Sequence, residues 1–333
     1  MRKLLVILFF LLLIGAGGTG LKIWRDYTQA GPLPQDTDVV IPHGDYLSTI
    51  HTLQNSDVLP AGWWTERVTL GLIFATRHQG QLHAAELHFP AHISVRGVLG
   101  ILRHGRPVLH KITIPEGLSA RQIQSLLQSA PFLTGDAPLT PEGSIMPETY
   151  SYLRNSKREA IVSRAQTAMH DQLEKIWTSR DVVEEIPNQE AFLTLASLVE
   201  KETAVASERP LVARVFINRL QKGMKLQTDP TVIYAVTNGN PPLGRPLTHT
   251  DLQTPSPYNT YMQIGLPPGP ICSPSVSSLQ AVAHPAAGDA LYFVANGAGG
   301  HNFASTLADH NKNVSLYRQK QIHSSETQTP ITH

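Results

Sequence analysis

An uncharged apolar run from Leu4 to Leu21 follows directly on the positive charges of Arg2 and Lys3, and it constrains this chain more than any other feature. A helix needs about 20 apolar residues to cross the roughly 30 Å of hydrocarbon in a bilayer. Ile23 and Trp24 extend the run into the interface, so the expected bilayer-crossing segment is residues 4–24. Cationic residues stay on the cytoplasmic side, which puts residues 1–3 in the cytoplasm and everything beyond Arg25 outside. The small-residue patch Gly15-Ala16-Gly17-Gly18 leaves a cleaved signal peptide as the alternative to a permanent anchor. On either reading the rest of the chain is exported. The single cysteine, Cys272, rules out a lipoprotein anchor behind the apolar run, an internal disulfide and a cysteine-built metal cage.

The 333 residues suffice for two or three compact units. A hydrophobic content of 41% against 16% charged residues permits a sizeable core and argues against wholesale disorder. A formal net charge of +1, with both signs interspersed, excludes a nucleic-acid binder built on a basic face. The fifteen histidines are scattered, without HExxH or HxH pairs, and read as structural or solvated imidazoles.

Residues 25–40, with Gly31-Pro32-Leu33-Pro34, read as an extended linker. From 41 to 110 the pattern suits a small α+β module, with helices over Tyr46–Leu53, Trp63–Thr76 and Ser94–Arg103. Alternation over 108–114 predicts a strand, and Ser119 is placed to cap a helix over Ala120–Ser129. Further helices are expected over 157–179, 188–206 and 207–221, the last closed by Gly223. Residues 224–290, rich in Pro, Gly, Thr and Asn, read as long cleft-lining loops, then a short strand at 290–295. A disordered tail is expected over 320–333.

The helix over 188–206 carries the chemistry. At about 100° per residue, Leu195, Leu198, Val199 and Glu202 share one face, while Thr194, Ser197 and Lys201 lie on the polar side. Glu200 is turned about 200° from Glu202, so the two carboxylates form no acid pair. A carboxylate among apolar residues has its pKa raised, as a general acid at neutral pH requires. Periodicity alone leans toward a structural ion pair from Glu202 to Arg209 or Arg214, since ordinary buried ion pairs look the same in sequence. Glu200 is suited to brace a neighbouring loop, and Lys201 and Glu208 read as surface charges. Gln227-Thr228-Asp229-Pro230 is as much a turn signal as a site.

The segments Leu198-Val199-Glu200-Lys201-Glu202-Thr203-Ala204, Val215-Phe216-Ile217-Asn218-Arg219-Leu220 and Leu226-Gln227-Thr228-Asp229-Pro230-Thr231 closely resemble the MltG-type (YceG-like) endolytic murein transglycosylases. The resemblance continues in order through Tyr258-Asn259-Thr260-Tyr261, Gly265-Leu266-Pro267-Pro268-Gly269, Ala283-His284-Pro285 and Gly300-His301-Asn302-Phe303, and it covers roughly residues 90–315. It implies an α+β chain: a transmembrane helix, a LysM-like module over 41–110, and a mainly helical YceG-like catalytic domain over 111–319. It implies Glu202 as the catalytic residue and no cofactor. Gln227, Thr228, Asp229, Tyr258, Asn259 and His301 then line the cleft, with Glu200, Asn218 and Arg219 in support. Tyr150 or Tyr261 is a candidate sugar platform, whereas Tyr292 and Phe303 read as core. The implied partners are peptidoglycan glycan strands and the cell-wall synthases, the penicillin-binding proteins. The sequence departs from the family at Ala84-Ala85-Glu86-Leu87-His88-Phe89, where a typical A-G-x-Y-x-F stretch has glycine and tyrosine.

Overall fold

The structure, a computed structural model, describes residues 2–240 and 242–326. It is a mixed helix and sheet protein in two units, Met1–His110 with Ser151–Asn155, and Lys111–Tyr150 with Ser156 onward.

In the first unit α1 (Arg2–Thr28) contains a 26-residue stretch, Lys3–Thr28, apolar enough to cross a membrane, with side chains exposed from Lys3 to Lys22. Strand β1 (Thr37–Val40) pairs antiparallel with β2 (Glu86–Phe89), Thr37 opposite Phe89 and Val40 opposite Glu86. Between them run α2 (Tyr46–Asn55), capped by Asp45, and α3 (Trp63–Ala75). Helix α4 (Val95–His104) follows, capped by Ser94. Leu33, Val39, Ile50, Leu53, Leu87 and Phe89 meet in one core.

The expected linker over 25–40 is corrected by this core. Helix α1 continues to Thr28, Leu33 is buried, and β1 is already sheet. The Gly31-Pro32 segment presses so closely on Ile93 that a Cβ at Gly31 would collide with its carbonyl, so the proline-rich stretch is packed backbone rather than spacer. Glu86, nearly inaccessible, accepts bonds from Arg154 at 2.8 Å and His110 at 2.6 Å. The Arg154 guanidinium, chiefly, holds its carboxyl below the usual range.

The second unit takes up the chain along β3 (His110–Thr113) and contains the start of β4 (Thr149–Tyr152). Helix α5 (Ala120–Ser129) begins with a capping box between Ser119 and Gln122, as Ser119 predicts. Then come α6 (Arg158–Thr178), α7 (Gln189–Glu202), α8 (Arg209–Gln221), α9 (Asp229–Thr237) and α10 (Val276–Ala283). A hairpin of β5 (Tyr292–Ala295) and β6 (His301–Ala304) leads into α11 (Leu307–Glu326). The expectation of loops throughout 224–290 is therefore wrong at α9 and α10. Asp229-Pro230 opens α9 from inside its first turn, where proline is tolerated, and Ser275 caps α10. Helix α11 likewise runs past 320 to Glu326; residues 327–333, the rest of the expected tail, lie outside the described residues.

Helix α7 is the centre of this unit, with α6, α8, α9 and α10 packed around it. Its expected polar side is corrected: Thr194 and Ser197 are buried along with Leu195, Leu198 and Val199. The Ser197 hydroxyl is not stranded. Ser197 Oγ donates to the Thr194 carbonyl and accepts the Ile271 amide at 3.1 Å, stitching the 271–272 segment to the helix. Cys272 beside it is fully buried, as expected for a small hydrophobe. Arg158 closes the loop after α5: Nε, Nη1 and Nη2 donate to the carbonyls of Leu127, Leu133, Gly135, Gln128 and Ala130 at 2.6–3.1 Å.

Candidate active site

Helix α7 stops at Glu202, earlier than the expected 206. Thr203 turns the backbone to φ −141°, ψ 131°, and a 3₁₀ turn over 206–208 precedes α8. Thr203 Oγ1 accepts the Val205 amide at 3.0 Å and donates to Glu208 at 3.3 Å, which fixes this sharp exit. Glu202 thus ends a buried helix, where the helix dipole disfavours a negative charge. It lines a cleft of about 390 Å³ with Glu116, Gly117, Glu200, Lys201, Thr203, Ala204 and Arg209.

A threonine cluster faces Glu202 from the start of α9. Gln227 adopts a left-handed φ of 49°, its amide bonded to the Thr260 carbonyl at 3.2 Å. The Thr228 amide donates to Thr260 Oγ1 at 3.0 Å, and Thr231 Oγ1 bonds both the Thr228 carbonyl and Thr260 Oγ1. Thr228, Thr231 and Thr260 are all buried. With the backbone locked in this way, Thr228 Oγ1 is aimed at Glu202 Oε1 and donates to it.

Burial pushes the Glu202 carboxyl up to about 7; the Thr228 bond opposes this, the Asp229 charge adds to it, and the charges of His301 and Arg219 oppose it. No cation is in salt-bridge contact with Glu202 among the described residues. Arg209 pairs instead with Glu200 at 3.3 Å, and Arg214 Nε donates to the Ala286 carbonyl at 2.5 Å. Glu200 also accepts the Ser275 amide and hydroxyl at 2.8 and 2.6 Å, so it anchors the cap of α10. The two carboxylates face different partners, as the helical spacing predicts.

The remaining predicted site residues divide into those beside Glu202 and those that hold loops. Asp229 accepts the Tyr261 hydroxyl at 2.6 Å. His301 Nδ1 lies 2.7 Å from Glu208, and a carboxylate only accepts, so Nδ1 carries the hydrogen of this bond. Asn259 is fully buried; its amide donates to the carbonyls of Leu252 and Thr254 at 3.0 and 2.9 Å and accepts Tyr261 N–H, so it shapes the loop from within. Tyr258 packs at a tilt on Tyr234, ring centroids 4.8 Å apart, against the core. Asn218 donates to the Gly288 and Ala290 carbonyls, and Arg219 to those of Leu291 and Leu226. Tyr150 is buried with its hydroxyl on the Met146 carbonyl, which removes it as a sugar platform; Tyr261 stays partly exposed.

Glu208 is the residue that sequence reasoning missed. Burial raises its pKa, but the bonds from His301 N–H, at 2.8 Å, from Nδ1 and from Thr203 outweigh that and hold it below the usual range. An E-R-P turn looks like exposed charge in sequence, and nothing in its spacing reports the hairpin that returns to it. Among the described residues no three His, Cys, Asp or Glu side chains are grouped to hold a metal ion.

The model of the YceG-like family matches residues 39–316, and the chain belongs to that family. An endolytic murein transglycosylase of Streptococcus pneumoniae is 28% identical over 371 aligned positions, covering 95% of this chain and 65% of that protein. The corresponding Bacillus subtilis protein is 47% identical over 126 positions, 38% of this chain and 34% of its own. The crystal structure of a yceG-like protein from Listeria monocytogenes superimposes with a TM-score of 0.51 at 28% identity, covering 84% of this chain and 99% of that one.

Proposed function

We propose that this protein is an endolytic murein transglycosylase that cleaves the bond between N-acetylmuramic acid and N-acetylglucosamine in peptidoglycan strands, with Glu202 as acid and then base. The observation that carries the reading is the Glu202 carboxyl, raised to about 7, in a cleft whose other two glutamates, Glu116 and Glu200, lie against Arg209 rather than against Glu202. Relatives named as endolytic murein transglycosylases support it. Protonated Glu202 gives its proton to the glycosidic oxygen as the C1–O bond breaks and an oxocarbenium-like centre develops. The carboxylate then accepts the proton of the sugar's own C6 hydroxyl, whose oxygen closes on C1. The products are a 1,6-anhydro end and a free C4 hydroxyl, and no water is consumed. Nucleophile and electrophile share one sugar, so positioning supplies much of the acceleration.

Thr228 donates to one carboxyl oxygen in both protonation states and leaves the other to move the proton. Gln227, Asp229, Tyr258, Tyr261 and His301 hold the strand, while Asn259, Asn218, Arg219 and Glu200 act through the loops they fix. Helix α1 is a single-pass anchor with its N-terminus in the cytoplasm, the first unit is a LysM-like module, and the cell-wall synthases supply nascent strands. At the tyrosine position of the family's A-G-x-Y-x-F stretch stands Leu87, fully buried, which argues against glycan binding there.

Incubation of the full chain with glycan strands, followed by mass spectrometry of the new ends, tests this reading. Anhydro ends are expected; reducing ends would mark a hydrolase, and no new ends a binding scaffold. The reaction needs protonated Glu202, so kcat/KM is expected to fall about tenfold per pH unit above about 7. Thr228→Val removes a bond that lowers the pKa and should move this limb to higher pH, at a reduced plateau rate. An unmoved limb would assign the titration to another group.

A further inference from the structure

One residue beyond the apolar run, α1 forms one wall of a pocket of about 230 Å³ that no step of the proposed reaction uses. Lys22, Asp26 and Gln29 line it from α1, and Trp64 and Thr69 from α3. The two helices are fastened here: Trp64 Nε1 donates to Asp26 at 3.0 Å, and the Lys22 ammonium sits 4.4 Å from the Trp64 ring centre. Thr69 is 1% exposed, and its hydroxyl has no protein partner. Such a buried polar atom normally has one, so this hydroxyl is left able to bond whatever the pocket takes up.

The surroundings say what kind of occupant. At 1.5 Å rise per residue, Lys22 to Asp26 occupies only about 6 Å beyond the apolar run, the depth of lipid headgroups if α1 spans the bilayer. Trp63 is 73% exposed and lies 5.9 Å from Trp64, and Trp24 on α1 is 62% exposed. Tryptophans stranded at this level are the mark of a membrane interface. Lys22, Arg25 and Arg67 are exposed cations, whereas the nearby acids are engaged, Asp26 by Trp64 and Glu66 by His51. This charge balance suits an anionic lipid phosphate.

We propose that this pocket is a phospholipid headgroup site that seats the start of α3 in the headgroup layer, with the lipid phosphate against Lys22 and a lipid oxygen bonded by Thr69. The proposal rests on α1 being a membrane anchor. Nitroxide labels placed singly at Leu12→Cys, Ala61→Cys and Val182→Cys test it in the full chain, reconstituted in vesicles containing phosphatidylglycerol. The native Cys272 is buried and stays unlabelled. Expected is a nickel-chelate accessibility at position 61 several-fold below that at position 182, with position 12 shielded from nickel and open to oxygen. Position 61 as accessible as 182, with 12 shielded, overturns the headgroup site and leaves the anchor standing. Position 12 open to nickel overturns the anchor and the site together. Lys22→Glu should raise accessibility at 61 toward the value at 182 without changing position 12; no rise would remove Lys22 and the phosphate from the proposal.

Discussion

Glu202→Gln is expected to lower the cleavage rate by about 10²–10⁴-fold or more, the range of a lost general acid, and here one group serves as both acid and base. The glutamine keeps the shape of the side chain and still accepts the Thr228 hydroxyl, so the fold around α7 is retained. The same substitution should raise stability, with a characteristic pH dependence. Burial lifts the folded-state pKa of Glu202 to about 7, from an ordinary value of 4.5. The wild-type residue therefore costs nothing below about pH 4.5, and its penalty grows until pH passes about 7. Allowing for partial exposure, the penalty is about 2 kcal/mol. Denaturant unfolding at pH 4 and pH 8 should show the variant equal to wild type at the lower pH and more stable at the higher. Loss of activity with loss of stability at both would mean that Glu202 is a structural residue.

Arg158→Met should cost about 3–5 kcal/mol and lower the melting temperature of the second unit by about 10 °C. The guanidinium satisfies the five carbonyls at the end of α5 and in the loop after it. Methionine fills the space but leaves these acceptors buried without donors, each at a cost of about 1 kcal/mol or more. Lysine would not rescue, because a compact ammonium cannot reproduce a planar fork of donors. Calorimetry on the detergent-solubilised chain measures the effect; a change below about 1 kcal/mol would show that the loop re-pairs its carbonyls with water.

Local signals read well from sequence, and returning contacts did not. Ser119 caps the helix that it is expected to cap, because an N-cap is settled within three residues. Glu202 was separable from Glu200 for the same reason: a two-residue step on a helix fixes their divergence. The apparent polar side of α7 misled, since Ser197 is satisfied by Ile271, far along the chain. Glu208 escaped notice because His301 reaches it from the hairpin after β5. Asn259 looked like a sugar ligand and proved to be an internal brace, a difference set by loop carbonyls that no local pattern reports. The proline-rich 25–40 stretch read as spacer because Leu33 carries no periodicity that would announce its burial.

The central claim is that one carboxyl cleaves the strand without water. Running the reaction in oxygen-18 water and weighing the new ends tests it directly. Wild-type protein should give anhydro ends that carry no heavy oxygen, and Glu202→Gln should give none. Heavy oxygen incorporated at newly formed reducing ends by the wild-type chain would contradict the account.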